Sequence, residues 1–77
     1  MNLGSDFMIP ISFALAGEEC IIKKIGGTPD VKKHLENLGF SVGGSATVIN
    51  TIGGNVIVKI KESRVALDSK MASKILI

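Results

Sequence analysis

The chain has no Trp, no Tyr, three Phe, one Cys and one His among its 77 residues. With so few rings it cannot build the aromatic-walled groove that holds proline-rich peptides, nor the stacking platform of a single-strand nucleic-acid binder. A lone Cys excludes a disulfide framework and a multi-cysteine zinc module, so a reducing cytoplasm is the expected setting. Charge is also sparse. Nine Lys and Arg against seven Asp and Glu leave a formal +2, too little for a strong footprint on phosphate backbones, and no nucleic-acid partner is expected. No uninterrupted apolar run approaches the roughly 20 residues of a membrane span, so no membrane insertion is expected either. The run Phe7-Met8-Ile9-Pro10-Ile11-Ser12-Phe13-Ala14-Leu15-Ala16 imitates the apolar part of a secretory signal. No Lys or Arg precedes it, however, and Pro10 interrupts it.

Side chains that carry chemistry are scarce in the same way. A borderline metal wants several His or Cys and a hard one wants clustered carboxylates. Cys20 reads as a small core residue, His34 as an exposed or rim-facing one, and Glu18-Glu19 as a solvated pair in a turn. Neither Gly26-Gly27-Thr28-Pro29 nor Gly43-Gly44-Ser45 has the spacing of a phosphate loop, so both are turns. The only His has no Ser or Cys partner at motif spacing. No metal, cofactor or enzymatic activity is expected.

What the chain does have is aliphatic mass. Hydrophobic residues make up 45% of it. A domain this short buries roughly 60% of the surface its unfolded form exposes, which allows one core. Residues 1–77 are therefore expected to form a single domain, with residues 1–6 loosely held or disordered at its start.

One helix is written into residues 29–38. Thr28 can accept from a first-turn N–H, Pro29 suits the first helical position, and Asp30 suits the positive end of the dipole. Val31, Leu35 and Leu38 share a face, Gly39 sits where a left-handed residue closes a helix, and Phe40 can fold back onto Leu35. The rest alternates with period two. Strands are expected over residues 9–15, 20–25, 46–51, 56–61, 64–68 and 74–77, with a tight hairpin at Gly53-Gly54-Asn55 and a helical turn near 69–73 capped by Asp68. Pro10 confines the first strand to an edge or to its opening residues. Short strands at close spacing favour a small closed or nearly closed β-barrel.

Taken together, Leu15-x-Gly17-Glu18, Leu35-x-x-Leu38-Gly39-Phe40-x-x-Gly43, Gly54-Asn55-Val56, Arg64-Val65-Ala66-Leu67 and Ala72-x-x-Ile75 resemble the FeoA family of ferrous iron transport accessory proteins. The resemblance covers nearly the whole chain after Phe7. It implies a mainly β fold, a small SH3-like barrel of five to six short strands with the one α-helix. It also implies a cytoplasmic location and a partner, the FeoB-type membrane transporter, contacted through its cytosolic GTPase portion. The family carries no catalytic residue set. Where its members often have Pro before the first-turn Gly, this chain has Ala16; where they often have Arg before the helix motif, it has Lys33-His34.

A chain without nucleophile or ligand set is expected to work through its surface. The candidate partner-binding residues are Lys32, Lys33, Leu38, Gly39, Phe40 and Val42, the helix with its exit and the loop beyond. Val42, Ile52 and Ile57 are the apolar residues in excess of what the core can hold. Lys23, Lys24, Lys32 and Lys33 lie where the second strand meets the helix and read as a solvated face. The competing reading is an SH3-like regulatory module of the kind appended to metal-responsive repressors. Such a module would follow a DNA-binding domain, whereas this chain starts at Met1. A small nucleic-acid-binding barrel is the third reading, and it predicts affinity that falls steeply with salt.

Overall fold

The computed structural model describes residues 7–77; the expected disorder of residues 1–6 lies outside the described residues. The elements in chain order are a 3-10 turn at Ile11–Phe13, β1 at Glu19–Ile21, β2 at Lys24–Ile25, α1 at Pro29–Asn37, β3 at Ser45–Ile52, β4 at Asn55–Ile60, β5 at Ser63–Leu67, α2 at Ser69–Ala72 and β6 at Ile75–Leu76. Strands β1-β3-β4-β5 form one antiparallel sheet in that order and β2-β6 a second.

Helix α1 begins and ends by the local chemistry its sequence announces. The Thr28 side chain accepts from the Val31 N–H at 3.3 Å, and Pro29 opens the helix. At the other end Gly39 donates to the Glu36 carbonyl at 2.9 Å and Phe40 to the Leu35 carbonyl at 3.0 Å. Gly39 has φ 109°. These two bonds with a left-handed residue between them are the Schellman closure, which satisfies carbonyls that the helix end would otherwise leave unpaired. Leu35 and Phe40, the pair expected to form its hydrophobic clasp, are both fully buried in the same core cluster. Val31 and Leu38 lie half-buried against the same core.

The long hairpin follows the period-two pattern. Gly53 and Gly54 take φ 57° and 85°, the pair of positive values that a two-residue turn between twisted strands requires. Ala46 and Val48 on β3 and Val56, Val58 and Ile60 on β4 all point into the core. The register shifts between Val48 and Asn50, so Ile49 is a bulge that bends the sheet toward closure. Asp68 caps α2 by accepting from the Met71 N–H at 2.7 Å.

Three expectations are corrected. Residues 9–15 are not a strand: Pro10 forms one bridge to Leu76, and the chain then turns through Ile11–Phe13. Pro lacks the N–H that would extend the ladder, and the turn buries Ile11 while leaving Phe13 70% exposed. Residues 20–25 are not one strand either. Ile22 donates to the Gly44 carbonyl beside β3, whereas Lys23 donates to the Leu76 carbonyl of β6. The chain changes sheets at that point and becomes β1 and β2, as the corner of a small barrel demands. Finally, the turn after β4 is Lys61-Glu62, and β5 begins at Ser63.

Candidate functional site

The candidate residues around the helix exit fall into three environments. Lys32 and Lys33 are exposed on α1, and Val42, just beyond the exit, is 64% exposed. Leu38 and Gly39 are half-buried. Phe40 is completely enclosed, so it holds the exit in place and offers nothing to a partner's touch. A Cβ on Gly39 would meet only the Ile60 side chain, at an ordinary 3.5 Å; the positive φ, not lack of room, makes glycine necessary there. Of the three apolar residues expected to be in surplus, Val42 and Ile52 stand in solvent and Ile57 is half-buried. His34 and the four lysines 23, 24, 32 and 33 are exposed.

A second feature lies beside the β1 edge. Phe7, Ile9, Cys20, Ile21 and Ile77 line an open groove of about 420 Å³, with Glu18, Glu19 and Lys23 also on its walls. Phe7 is 68% and Ile21 53% exposed. The Lys23 ammonium donates to the Phe7 carbonyl at 3.2 Å, fastening the incoming chain to the rim. Sequence reasoning missed this feature. A signal existed for Ile21, since it alternates with Cys20 and Ile22, and with those two inside it must face out. No comparable signal marked Phe13 or Leu15, the latter 72% exposed, because the local turn breaks the alternation that would have placed them.

The outer face of the four-stranded sheet carries a polar row. Register places Glu19 beside Thr47, Thr47 beside Lys59 and Lys59 beside Arg64. Glu19, Ser45, Thr47, Lys59 and Lys61 line a recess of about 280 Å³ there.

Cys20 is buried and unpaired with another thiol. Its Sγ–H reaches the Glu18 carbonyl at 3.7 Å. Burial, and then the charges of Glu18 and Glu19, push its pKa above the ordinary value, so the thiol stays protonated and is a poor nucleophile. Among the described residues no three His, Cys, Asp or Glu come together in a way that could hold a metal ion, and no helix is long and apolar enough to cross a membrane.

Sheet order, bulge and corner define an SH3-like barrel whose distinctive features lie on its surface. The sequence model of the FeoA domain matches residues 9–77. A putative Fe(2+) transport protein A of Methanocaldococcus jannaschii is 36% identical over 70 residues, which cover 91% of this chain and 85% of that protein. The chain belongs to the FeoA family, small proteins of ferrous iron transport. Its fold matches the crystal structure of an iron uptake regulatory protein (FeoA) with a TM-score of 0.82 at 21% identity, over 91% of this chain and 93% of that one. It also matches a manganese-dependent transcriptional repressor, with a TM-score of 0.81 at 19% identity, over 91% of this chain but 40% of the repressor.

Proposed function

We propose that this protein is a cytoplasmic, non-enzymatic accessory or regulatory protein of ferrous iron transport that docks onto the cytosolic GTPase portion of a FeoB-type transporter through the end of α1. The observation that carries this reading is the exposed surface of α1 and its exit. Lys32 and Lys33 are exposed on the helix and Val42 is 64% exposed just past it, with the Schellman closure fixing the course of the chain between them. An exposed apolar residue on the same α1-and-exit segment as exposed charges suits a docking surface: the apolar part supplies affinity once desolvated, the charges steer the encounter. Gly39 and Phe40 contribute by holding the exit and Leu38 by its half-exposed flank. The test is co-purification of the tagged chain with the intact transporter, with nucleotide hydrolysis and iron uptake measured with and without it. The reading predicts a stable complex and a change in at least one rate. No complex and no change in either rate would refute it.

One observation favours a second reading, a regulatory module acting within a metal-responsive repressor system: the barrel matches part of the manganese-dependent repressor at a TM-score of 0.81. That reading predicts that removing the protein alters metal-dependent transcription at a constant amount of transporter.

A further inference from the structure

We propose that the groove beside β1 is a slot for one added β-strand, and that its occupant is an extended segment of a partner protein bearing an apolar residue, a second apolar residue and then Lys or Arg. The site is distinct from the helix exit and does not rest on the function proposed there.

The backbone argument comes first. Among the described residues strand β1 pairs with β3 alone. Ile22 donates to the Gly44 carbonyl and accepts from the Gly43 N–H, both at 2.8 Å, so Ile22 and, by alternation, Cys20 turn their backbone groups toward β3. Glu19 and Ile21 turn theirs the opposite way, as Lys23 does. Lys23 finds the Leu76 carbonyl at 2.8 Å. Among the described residues the N–H and C=O groups of Glu19 and Ile21 have no such partner on that edge. The groove thus sits where the line of β6 would run on alongside β1, and an occupant in that line is antiparallel to β1.

Register then sets the occupant's chemistry. Reading antiparallel, its first residue lies opposite Ile21, 53% exposed, and an apolar side chain covers it. The second lies opposite Cys20 and points inward with it, toward Phe7, Ile9 and Ile77. The third lies opposite Glu19, with Glu18 next to it, and a Lys or Arg there makes the favourable cross-strand pair. A carboxylate at the third place would meet like charge. A second copy of this chain is the poorer occupant: its own Ile21-Ile22-Lys23 has the right order of side chains, but its Lys23 N–H is already taken by Leu76.

The test uses the full 15N-labelled chain and a blocked synthetic peptide with Val-Val-Lys at its centre, alongside the same peptide with Val-Val-Glu. The expected result is saturable shifts at the amides of Glu19, Cys20 and Ile21, with Val-Val-Lys binding about fivefold more tightly, the upper range of one cross-strand charge pair. Glu19→Lys should reverse that preference. Ile21→Pro removes an outward N–H that β3 does not use, so the ladder survives and binding is lost. If Ile21→Pro unfolds the barrel, the Glu19→Lys reversal decides alone. Absence of shifts, equal affinity for both peptides, or concentration-dependent dimerisation through the same amides would overturn the proposal.

Discussion

Gly39 and Asn37 lie two positions apart at the end of one helix, yet they should respond to substitution very differently. Gly39 holds φ 109° with room for a Cβ, so Gly39→Ala costs backbone strain alone, about 1–3 kcal/mol. Asn37 is exposed, and Asn37→Ala should leave stability within about 0.5 kcal/mol of the parent. Urea unfolding of the two variants measures the difference directly. Phe40, fully enclosed, belongs with Gly39: Phe40→Ala should cost about 3–5 kcal/mol, a loss a small barrel does not survive at working temperature. Cys20 makes a prediction of another kind. Its pKa is raised in the folded state by burial and by Glu18 and Glu19, so the folded chain holds that proton more tightly than the unfolded one. The associated stability is complete below the unfolded-state pKa and is lost as pH rises through the folded-state value. Alkylation of the native protein by iodoacetamide, followed by mass spectrometry at rising pH, should lag a free thiol and show its inflection displaced upward. In urea the lag should vanish. An inflection at the ordinary value in the native protein would mean the thiol is not covered.

At the scale of the element, turns and caps decide what forms. Lys61 takes φ 55°, a left-handed value that costs a non-glycine residue about 1–2 kcal/mol. Lys61→Gly should raise the midpoint of thermal unfolding, with a net gain of about 0.5–1 kcal/mol after the greater freedom of glycine in the unfolded chain is subtracted. A lowered midpoint would show that the Lys side chain contributes more than the strain removes. Asp68→Ala deletes the 2.7 Å bond to Met71 and should cost about 1 kcal/mol. These elements also show how far the sequence could be read. Helix α1 and the β3–β4 hairpin were legible because their signals are local: a cap, a proline, an interval of three or four, two glycines in a row. The 3-10 turn at Ile11–Phe13 and the sheet change at Lys23 were not. Both depend on Leu76, whose carbonyl takes the Lys23 N–H and which bridges to Pro10, a residue more than fifty positions downstream that no local pattern connects to them. The groove was illegible for the same reason, since its walls come from Phe7, Cys20 and Ile77, three segments that only the closed barrel brings together.

On the scale of the whole molecule, the aliphatic composition and the family resemblance agree. Ile11, Ile22, Leu35, Phe40, Val58 and Ile75 are the largest side chains fully withdrawn from water, and each draws about 1.5–3 kcal/mol from that burial. These side chains form the mainly aliphatic core that the composition announces, and the candidate sites lie on the surface around it. That surface includes the exposed Lys32 and Lys33 of α1, the exposed Val42 beyond its exit and a strand edge beside β1. The proposed docking to the transporter belongs to α1 and its exit. The most direct test is a calorimetric titration of the isolated cytosolic GTPase portion of a FeoB-type transporter with this chain and with its Lys32→Glu/Lys33→Glu variant. Saturable binding by the parent, weakened about tenfold in the variant while its thermal unfolding stays unchanged, is the predicted result. Equal binding by both proteins would contradict the account.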